Sequence, residues 1–172
     1  RVLMKVLYAA RMARYDLLFP RQRLATKITK WTKRQDKQLH RFMAYNWQTK
    51  DWKLRGYIGD PKELWQLWLY TDSDFASGKS ERTVVIFLTL PGKSAYFLIT
   101  ALSKKQTAVS HSTAEAEMSA ADIGLRLEAL PCMTLFDAIC RRKVELLFLE
   151  DNQATLRHIQ TGKHQALQHV SR

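Results

Sequence analysis

Three short segments carry acidic residues at the positions where an enzyme that uses metal ions needs them. They are LYTDSDF (69–75), HSTAEAEM (111–118) and LLFLEDNQ (146–153). The first and third are typical of strands that end in Asp, and the second is typical of the start of a helix. Carboxylates that converge at one edge of a sheet can hold two Mg²⁺ ions about 4 Å apart, a geometry suited to phosphodiester hydrolysis. The spacing therefore indicates a two-metal nuclease.

Asp72 and Asp74 share the end of the first segment. Residues two apart on a strand face the same side, so alternation does not distinguish them. Asp72 directly follows the apolar run 67–70 and is expected to be held by the sheet, whereas Asp74 would lie just past its rim. Asp72 is the predicted main ligand, with Asp74 as an additional one. The alternative for both is an ordinary turn after a strand, a common role for Asp.

The second segment separates a helix cap from a candidate catalyst. Ser112 and Glu115 have the spacing of a capping box, which gives Glu115 a structural role. Glu117 shares a helical stripe with the small residues Ala120, Ala121 and Gly124. Small residues let a helix lie close on a sheet, and a carboxylate aimed at that sheet is costly unless it is paired or binds a metal. Glu117 is the predicted catalytic residue of this segment.

Asp151 follows VELLFLE (144–150), an almost wholly apolar run that predicts a strand buried on both faces. Glu150 is expected to point to the opposite side from Asp151. Because a helix begins at Asn152, Asp151 would by itself be interpreted as the helix N-cap. Together with Asp72 and Glu117, it is interpreted instead as the third acidic ligand.

The elements that must position these residues form a mixed α/β pattern. Strands are predicted at 65–75, 83–90, 94–102 and 144–150, and helices at 112–130, 132–142 and 152–161. Pro131 is expected to split the first two of these helices, and Gly162 is expected to end the third. The first three strands follow one another without a helix and are expected to run antiparallel.

The N-terminal third is basic and predicted to be helical. Residues 1–60 contain 15 Lys or Arg against 4 Asp or Glu, which is +11 of the total net charge of +12. Apolar residues at helical spacing predict a helix over 2–19, which Pro20 is expected to interrupt, followed by amphipathic helices over 21–48.

Cations beside a carboxylate cluster suit a nucleic-acid enzyme, because they neutralise backbone phosphates. The alternative is a solvated helix face with no ligand. The candidate nucleic-acid-binding residues are Lys27, Lys30, Lys33, Arg34, Lys37, Arg41, Lys104 and Lys105.

Other classes of protein fit the composition less well. No apolar run reaches the roughly 18 residues of a membrane span. Cys132 and Cys140 form neither a metal pattern nor a disulfide framework and are expected to be buried free thiols. A chain that starts at Arg1 and stops at Arg172 is expected to be a fragment of a longer polyprotein. A domain boundary is expected near Pro61, between a helical segment (1–60) and an α/β domain (61–172).

Three blocks of this sequence, TDSDFA, SKKQTAVSHSTAEAEMSA and LEDNQATLRHIQTGK, closely resemble the ribonuclease H domain of copia-type LTR retrotransposon Pol polyproteins. The block that joins SKKQ to STAEAE is the most specific of them. The upstream stretch, which includes RFMAYNWQTKDWKLRGYIGD, resembles the helical connection between polymerase and ribonuclease H in the same polyproteins. The likeness extends over nearly the whole chain.

The resemblance implies a ribonuclease H-like mixed sheet with flanking helices, preceded by a helical basic extension and lacking the family's final strand. It implies that Asp72, Glu117 and Asp151 bind two Mg²⁺ ions, for which Mn²⁺ would substitute, and that the module hydrolyses the RNA strand of an RNA–DNA hybrid. The implied partners are nucleic acid and the rest of the Pol polyprotein, with no membrane and no small-molecule cofactor. The implied location is the cytoplasm, in virus-like particles, or the nucleus.

One departure from the family opens an alternative. Where the family carries a fourth carboxylate near its C-terminus, the nearest match here, QHVSR, places Ser171. The alternative function is therefore a non-catalytic retroelement remnant, an α/β scaffold that binds nucleic acid or is inert.

Overall fold

The fold is a four-stranded mixed sheet combined with α-helices. The computed structural model describes residues 2–73, 83–91, 96–105, 110 and 112–162, with backbone alone for 83–91 and Lys105. The elements in chain order are α1 Val2–Met12, α2 Leu18–Ala25, α3 Lys33–Gln48, β1 Leu67–Ser73, β2 Thr83–Pro91, β3 Tyr96–Lys105, α4 Thr113–Gly124, a π-helical segment Leu125–Ala129, α5 Leu130–Cys140, β4 Leu146–Leu149 and α6 Gln153–Thr161. Short 3₁₀ turns lie at Tyr15–Leu17, Ile28–Lys30 and Lys62–Leu64.

The strands are arranged in the order β3-β2-β1-β4. β1 and β2 are antiparallel, as are β2 and β3, so the predicted antiparallel arrangement of the first three strands is confirmed. β4 lies parallel to β1. Parallel neighbours need a long crossover, and the helical stretch from α4 to α5 provides it. The carboxyl ends of β1 and β4 therefore meet at one edge of the sheet.

β4 is less buried than the sequence predicts. All four of its residues are half-buried, although the apolar run predicts burial on both faces. Within the described residues, β4 pairs with β1 alone. Its second edge has no strand neighbour in that part of the chain.

One face of the sheet forms a hydrophobic core with the α4–α5 stretch. Leu67 and Leu69 of β1 are fully buried, and they form a cluster with Ala120, Ala129 and Phe136. Every second residue of β1 is buried, because successive side chains of a strand point to opposite faces of the sheet. The face with Leu67 and Leu69 is therefore the one covered by α4, and we call it the α4 face.

The predicted break at Pro131 is wrong. Pro131 lies in the first turn of α5, and the helix continues from α4 through the π-helical segment Leu125–Ala129. Proline lacks an N–H and collides with the carbonyl four residues earlier in a regular helix. Directly before Pro131 the regular pattern is replaced by a π turn, in which the Leu130 N–H donates to the Leu125 carbonyl five residues earlier. The prediction that Gly162 ends α6 is confirmed, since Gly162 is the C-cap with φ of 63°.

Pro20 does not interrupt a helix either. It lies in the first turn of α2, where the missing N–H would have no intrahelical partner. The break comes earlier, between Met12 and Leu18, where a 3₁₀ turn joins α1 to α2.

The N-terminal helices pack against the third strand. Ala101 of β3 is buried in a cluster with Leu3, Val6, Leu17 and Phe42. The hydroxyl of Tyr15 donates to the carbonyl of Ile99 at 2.7 Å. The helical segment and the sheet thus share a core, and the domain boundary near Pro61 stays a prediction.

The starts of the two parallel strands are joined by Arg142. Its guanidinium donates to the carbonyls of Lys62 and Trp65 at 2.9 and 2.7 Å. Lys62 and Trp65 precede β1, and Arg142 precedes β4. This contact links the entry to one strand with the entry to its parallel neighbour.

Candidate active site

The carboxyl ends of β1 and β4 bring acidic residues together. The parallel register pairs Tyr70 with Leu149, and its continuation by one residue places Thr71 beside Glu150. The Thr71 hydroxyl donates to Glu150 Oε2 at 3.3 Å. The carboxyl ends of β1 and β4 therefore lie side by side.

The helix α4 brings Glu117 to this strand end. Ser112 is the N-cap, and its Oγ accepts a hydrogen bond from the backbone N–H of Glu115 at 3.2 Å, as the capping motif predicts. The predicted small-residue stripe is buried along α4, and Glu117 is buried with it. Glu115 is only half-buried. The stripe therefore directs Glu117, and not Glu115, toward the sheet.

Glu117 is a buried carboxylate in an unfavourable environment for a charge. It is 4% exposed, and its Oε2 has no hydrogen-bond partner among the described residues. Burial, chiefly, and the negative charges of Glu150 and Asp72 together raise the pKa of Glu117 to about 7. The polar groups of neighbouring Ser73 counteract part of this increase in pKa. The Ser73 Oγ is nevertheless without a well-oriented hydrogen bond within the described part of the chain.

Glu150 belongs to this cluster, although it is absent from the predicted set. Its Oε1 accepts the backbone N–H of Asn152 at 3.1 Å, and its Oε2 accepts the Thr71 hydroxyl. Burial raises the pKa of Glu150, and the charges of Asp151 and Asp72 act in the same direction. The sequence does assign Glu150 and Asp151 to opposite sides. It does not show which of the two sides α4 covers.

Asp72 lies at the same strand end on the other face of β1. Thr71 and Ser73 are buried, whereas Asp72 between them is exposed. Its charge nevertheless affects the pKa of both Glu117 and Glu150. The structure thus brings Asp72 into electrostatic range of Glu117 without placing the two on one face.

Asp151 is exposed and directly follows Glu150. It is not the cap of α6, because Asn152 is the N-cap and its side chain accepts from the backbone N–H of Thr155 at 3.0 Å. The N-cap interpretation of Asp151 is therefore wrong, and its carboxylate has no structural role in starting the helix. Asp74 and Ser171 lie outside the described residues.

The donor chemistry of this strand end fits a hard divalent cation. Oxygen ligands, the kind that Mg²⁺ prefers, are offered by Asp72, Glu117, Glu150 and Asp151. Among them, the buried Oε2 of Glu117 has no partner within the described ranges. No group of three His, Cys, Asp or Glu residues in those ranges is already arranged around a common metal position. Glu117 is the residue whose environment most favours a bound cation.

The predicted phosphate contacts form an exposed basic surface on and beside α3. This helix starts with a capping box, in which Thr32 and Gln35 satisfy each other's backbone N–H groups. The exposed cations of the predicted set are Lys30, Lys33, Arg34, Lys37, Arg41 and Lys104. Lys27 is half-buried, and the side chain of Lys105 is outside the described part.

A cleft of about 430 Å³ adjoins this surface between α2 and α3. Arg23 and Arg41 lie along it, with Leu24 and Phe42 forming its apolar floor. Asp16 also lines the cleft, but Arg14 holds it in an ion pair at 2.7 Å. The uncompensated charge of the cleft is therefore positive.

Three further findings bear on the class of protein. Cys132 and Cys140 are both free and half-buried. None of the helices that the structure describes has the length and apolar content to cross a bilayer. No protein-family model, curated protein or solved structure matches the chain.

Proposed function

We propose that this chain is a ribonuclease H-type module of a copia-type retrotransposon polyprotein, which hydrolyses the RNA strand of RNA–DNA hybrids with Mg²⁺. The observation that carries the proposal is the buried Glu117 carboxylate, whose Oε2 has no described partner, at the joined ends of β1 and β4. A buried charge without a partner is costly, and a bound cation removes that cost.

Each acidic residue has a separate task in this proposal. Glu117 binds metal from the α4 face, and the exposed Asp72 and Asp151 bind from the side that a substrate can reach. Held by these residues, two ions would supply activation of the attacking water and stabilisation of the leaving oxygen. Mn²⁺ substitutes for Mg²⁺, since it also accepts oxygen ligands.

The sheet and the basic surface support the same proposal. An antiparallel three-stranded unit with a parallel fourth strand beside β1 agrees with the fold that the sequence motifs imply. The exposed cations of α3 bind phosphates, and the hybrid is recognised by its backbone and 2′-OH groups rather than by its sequence. Within a Pol polyprotein, the module acts during reverse transcription, in virus-like particles in the cytoplasm or in the nucleus.

The test is cleavage of an end-labelled RNA–DNA hybrid by the chain in Mg²⁺ or Mn²⁺, compared with Glu117→Gln and Glu115→Gln. Mutation of a residue that hydrogen-bonds to a metal ligand typically reduces activity 10- to 100-fold. Loss of the ligand itself in Glu117→Gln is therefore expected to reduce cleavage by more than about 100-fold. Glu115→Gln keeps its backbone N–H at the cap and is expected to retain most of the cleavage, with a stability loss of about 1 kcal/mol or less.

The variants also separate this proposal from a non-catalytic remnant. A remnant would bind the hybrid without metal-dependent cleavage, and Glu117→Gln would then behave like the unaltered chain. Equal loss of cleavage in both variants would contradict the distinction between the catalytic Glu117 and the capping position Glu115.

A further inference from the structure

We propose that Glu150 is a second carboxylate ligand for a Mg²⁺ ion held by Glu117, on the face of the sheet that α4 covers. This inference rests on the proposed function and adds a residue that the sequence motifs do not assign. Glu117 is buried and Glu150 is half-buried, whereas Asp72 and Asp151 at the same strand ends are exposed.

Strand geometry places Glu117 and Glu150 on one side of the sheet. Thr71 and Ser73 are both buried, two residues apart on β1, and therefore point to the α4 face about 7 Å from each other. Thr71 holds Glu150 through its hydroxyl, and Ser73 lies beside Glu117. The two carboxylates thus approach the same short stretch of β1 from β4 and from α4.

The pair also has a free binding position. Glu117 is 4% exposed, and its Oε2 has no hydrogen-bond partner in the described ranges. The charge of Glu150 acts on Glu117, so the two carboxylates repel each other when both are ionised, and a cation between them reverses the sign of the interaction.

Glu150 is held in place for such a role. The Asn152 N–H and the Thr71 hydroxyl each use one of about four lone-pair sites on the carboxylate. No other hydrogen bond to this carboxylate comes from the described part of the chain, which leaves its remaining sites open to a cation. Mg²⁺ usually takes one or two carboxylates and retains several waters, so Glu117 and Glu150 satisfy its needs without a third protein ligand.

The test measures Mg²⁺ affinity directly, by isothermal titration calorimetry and by the Mg²⁺-dependent rise in Tm of the 172-residue chain at pH 8. Glu150→Gln is expected to raise the Kd for Mg²⁺ at least tenfold. The matched control is Glu145→Gln, since Glu145 lies just before β4, at the opposite end of the strand, and accepts from Gln66 at 2.7 Å. The control is expected to leave the Kd unchanged.

Glu150→Asp separates ligation from a long-range charge effect. Asp keeps the negative charge, but its side chain is one methylene shorter. If Glu150 is a ligand, the affinity for Mg²⁺ falls severalfold. If Glu150 acts only as a distant charge, the Kd for Mg²⁺ stays unchanged. Circular dichroism of each variant without metal verifies the fold. Glu150→Gln can retain both hydrogen bonds, because an amide accepts from Asn152 and donates to Thr71.

Two results would overturn the inference. If the chain cleaves hybrids while Glu150→Gln binds Mg²⁺ normally, Glu150 is not a ligand and the proposed function still stands. If the unaltered chain neither binds Mg²⁺ nor cleaves hybrids, the proposed function fails together with the inference.

Discussion

At the scale of single residues, Glu117 links stability to pH. Its pKa is raised from 4.5 to about 7, chiefly by burial. Between these two values the unfolded chain releases its proton while the folded chain keeps it, so the free energy of unfolding falls as pH rises. Below about pH 4.5 both states are protonated, and the destabilisation is absent.

We therefore expect Glu117→Gln to stabilise the metal-free protein at pH 8 and to have little effect at pH 4. A shift of this size corresponds to about 3 kcal/mol at most, and solvent near the strand end reduces the expected gain to about 1–2 kcal/mol. Urea unfolding in EDTA at both pH values measures it. A gain of equal size at pH 4 would show that the effect is one of packing and not of ionisation.

The sequence predicts part of this site from local spacing alone. The stripe formed by Glu117, Ala120 and Ala121 separates Glu117 from Glu115, because helical periodicity fixes which side chains face the sheet. The sequence does not identify Glu150 as part of the site. The alternation of side chains along a strand places Glu150 and Asp151 on opposite faces of the sheet, but it does not show which face α4 covers. Only the packing of α4 on β1 supplies that information.

At the scale of elements, α3 combines a capped N-terminus with a solvent-exposed basic face. Lys33, Lys37 and Arg41 are all exposed and follow one another at four-residue spacing, so they share one stripe of the helix. The buried side of α3 contributes Phe42 to the shared core. Substitutions on the exposed stripe therefore change charge without disturbing packing.

Neutralising Lys33, Lys37 and Arg41 to Gln is expected to flatten the salt dependence of hybrid binding. The log–log slope falls by about 0.9 for each lost phosphate contact on a B-form duplex, and by a similar amount on a hybrid. Fluorescence anisotropy from 50 to 300 mM KCl provides the slopes. Cleavage at saturating hybrid is expected to change little.

The control triple carries Gln at Lys5, Arg11 and Arg157, which are exposed cations outside α3. If this triple flattened the slope equally, net charge alone would explain binding. An unchanged slope in the α3 triple would leave its cations as an ordinary solvated surface.

The two helical prolines show a limit on predicting helix boundaries from the sequence. Both Pro20 and Pro131 are expected to break helices, and both lie in first turns instead. A first turn has no intrahelical partner for the missing N–H. The sequence shows the proline but not the 3₁₀ or π turn that precedes it, because those turns depend on how the helices pack.

At the scale of the whole molecule, the N-terminal helices and the sheet are joined by a shared core and by a hydrogen bond from Tyr15 to Ile99 of β3. Gly56, in the segment between α3 and β1, lies against the ring of Phe97, which leaves no room for a Cβ atom. The segments before β1 are thus in contact with the sheet at several points.

Tyr15→Phe is expected to lower the free energy of unfolding by about 0.5–1.5 kcal/mol, because it leaves the Ile99 carbonyl without this donor. The matched control is Tyr8→Phe, since Tyr8 is 74% exposed and its ring is retained. Unfolding followed by both circular dichroism and tryptophan fluorescence is expected to give one coincident transition. Two separate transitions would contradict cooperative unfolding of helices and sheet.

The arrangement of the strands is partly predictable at this scale. Consecutive strands such as β1, β2 and β3 predict antiparallel neighbours, because short turns reverse the chain. The partial exposure of β4 is not predictable from its apolar sequence. It depends on what covers the strand in the folded molecule, and the apolar run alone does not show this.

The link from Arg142 to the start of β1, together with the Thr71–Glu150 hydrogen bond at the other end, fixes β4 against β1 at both ends. Side chains alternate along a strand, so a slip of one residue would turn Glu150 away from α4 and bring Leu149 or Asp151 in its place. A slipped chain would keep its composition and much of its secondary structure but place different side chains at this strand end. For the proposed enzyme, the accuracy of strand pairing during folding would therefore determine whether Glu117 and Glu150 lie on the same face of the sheet.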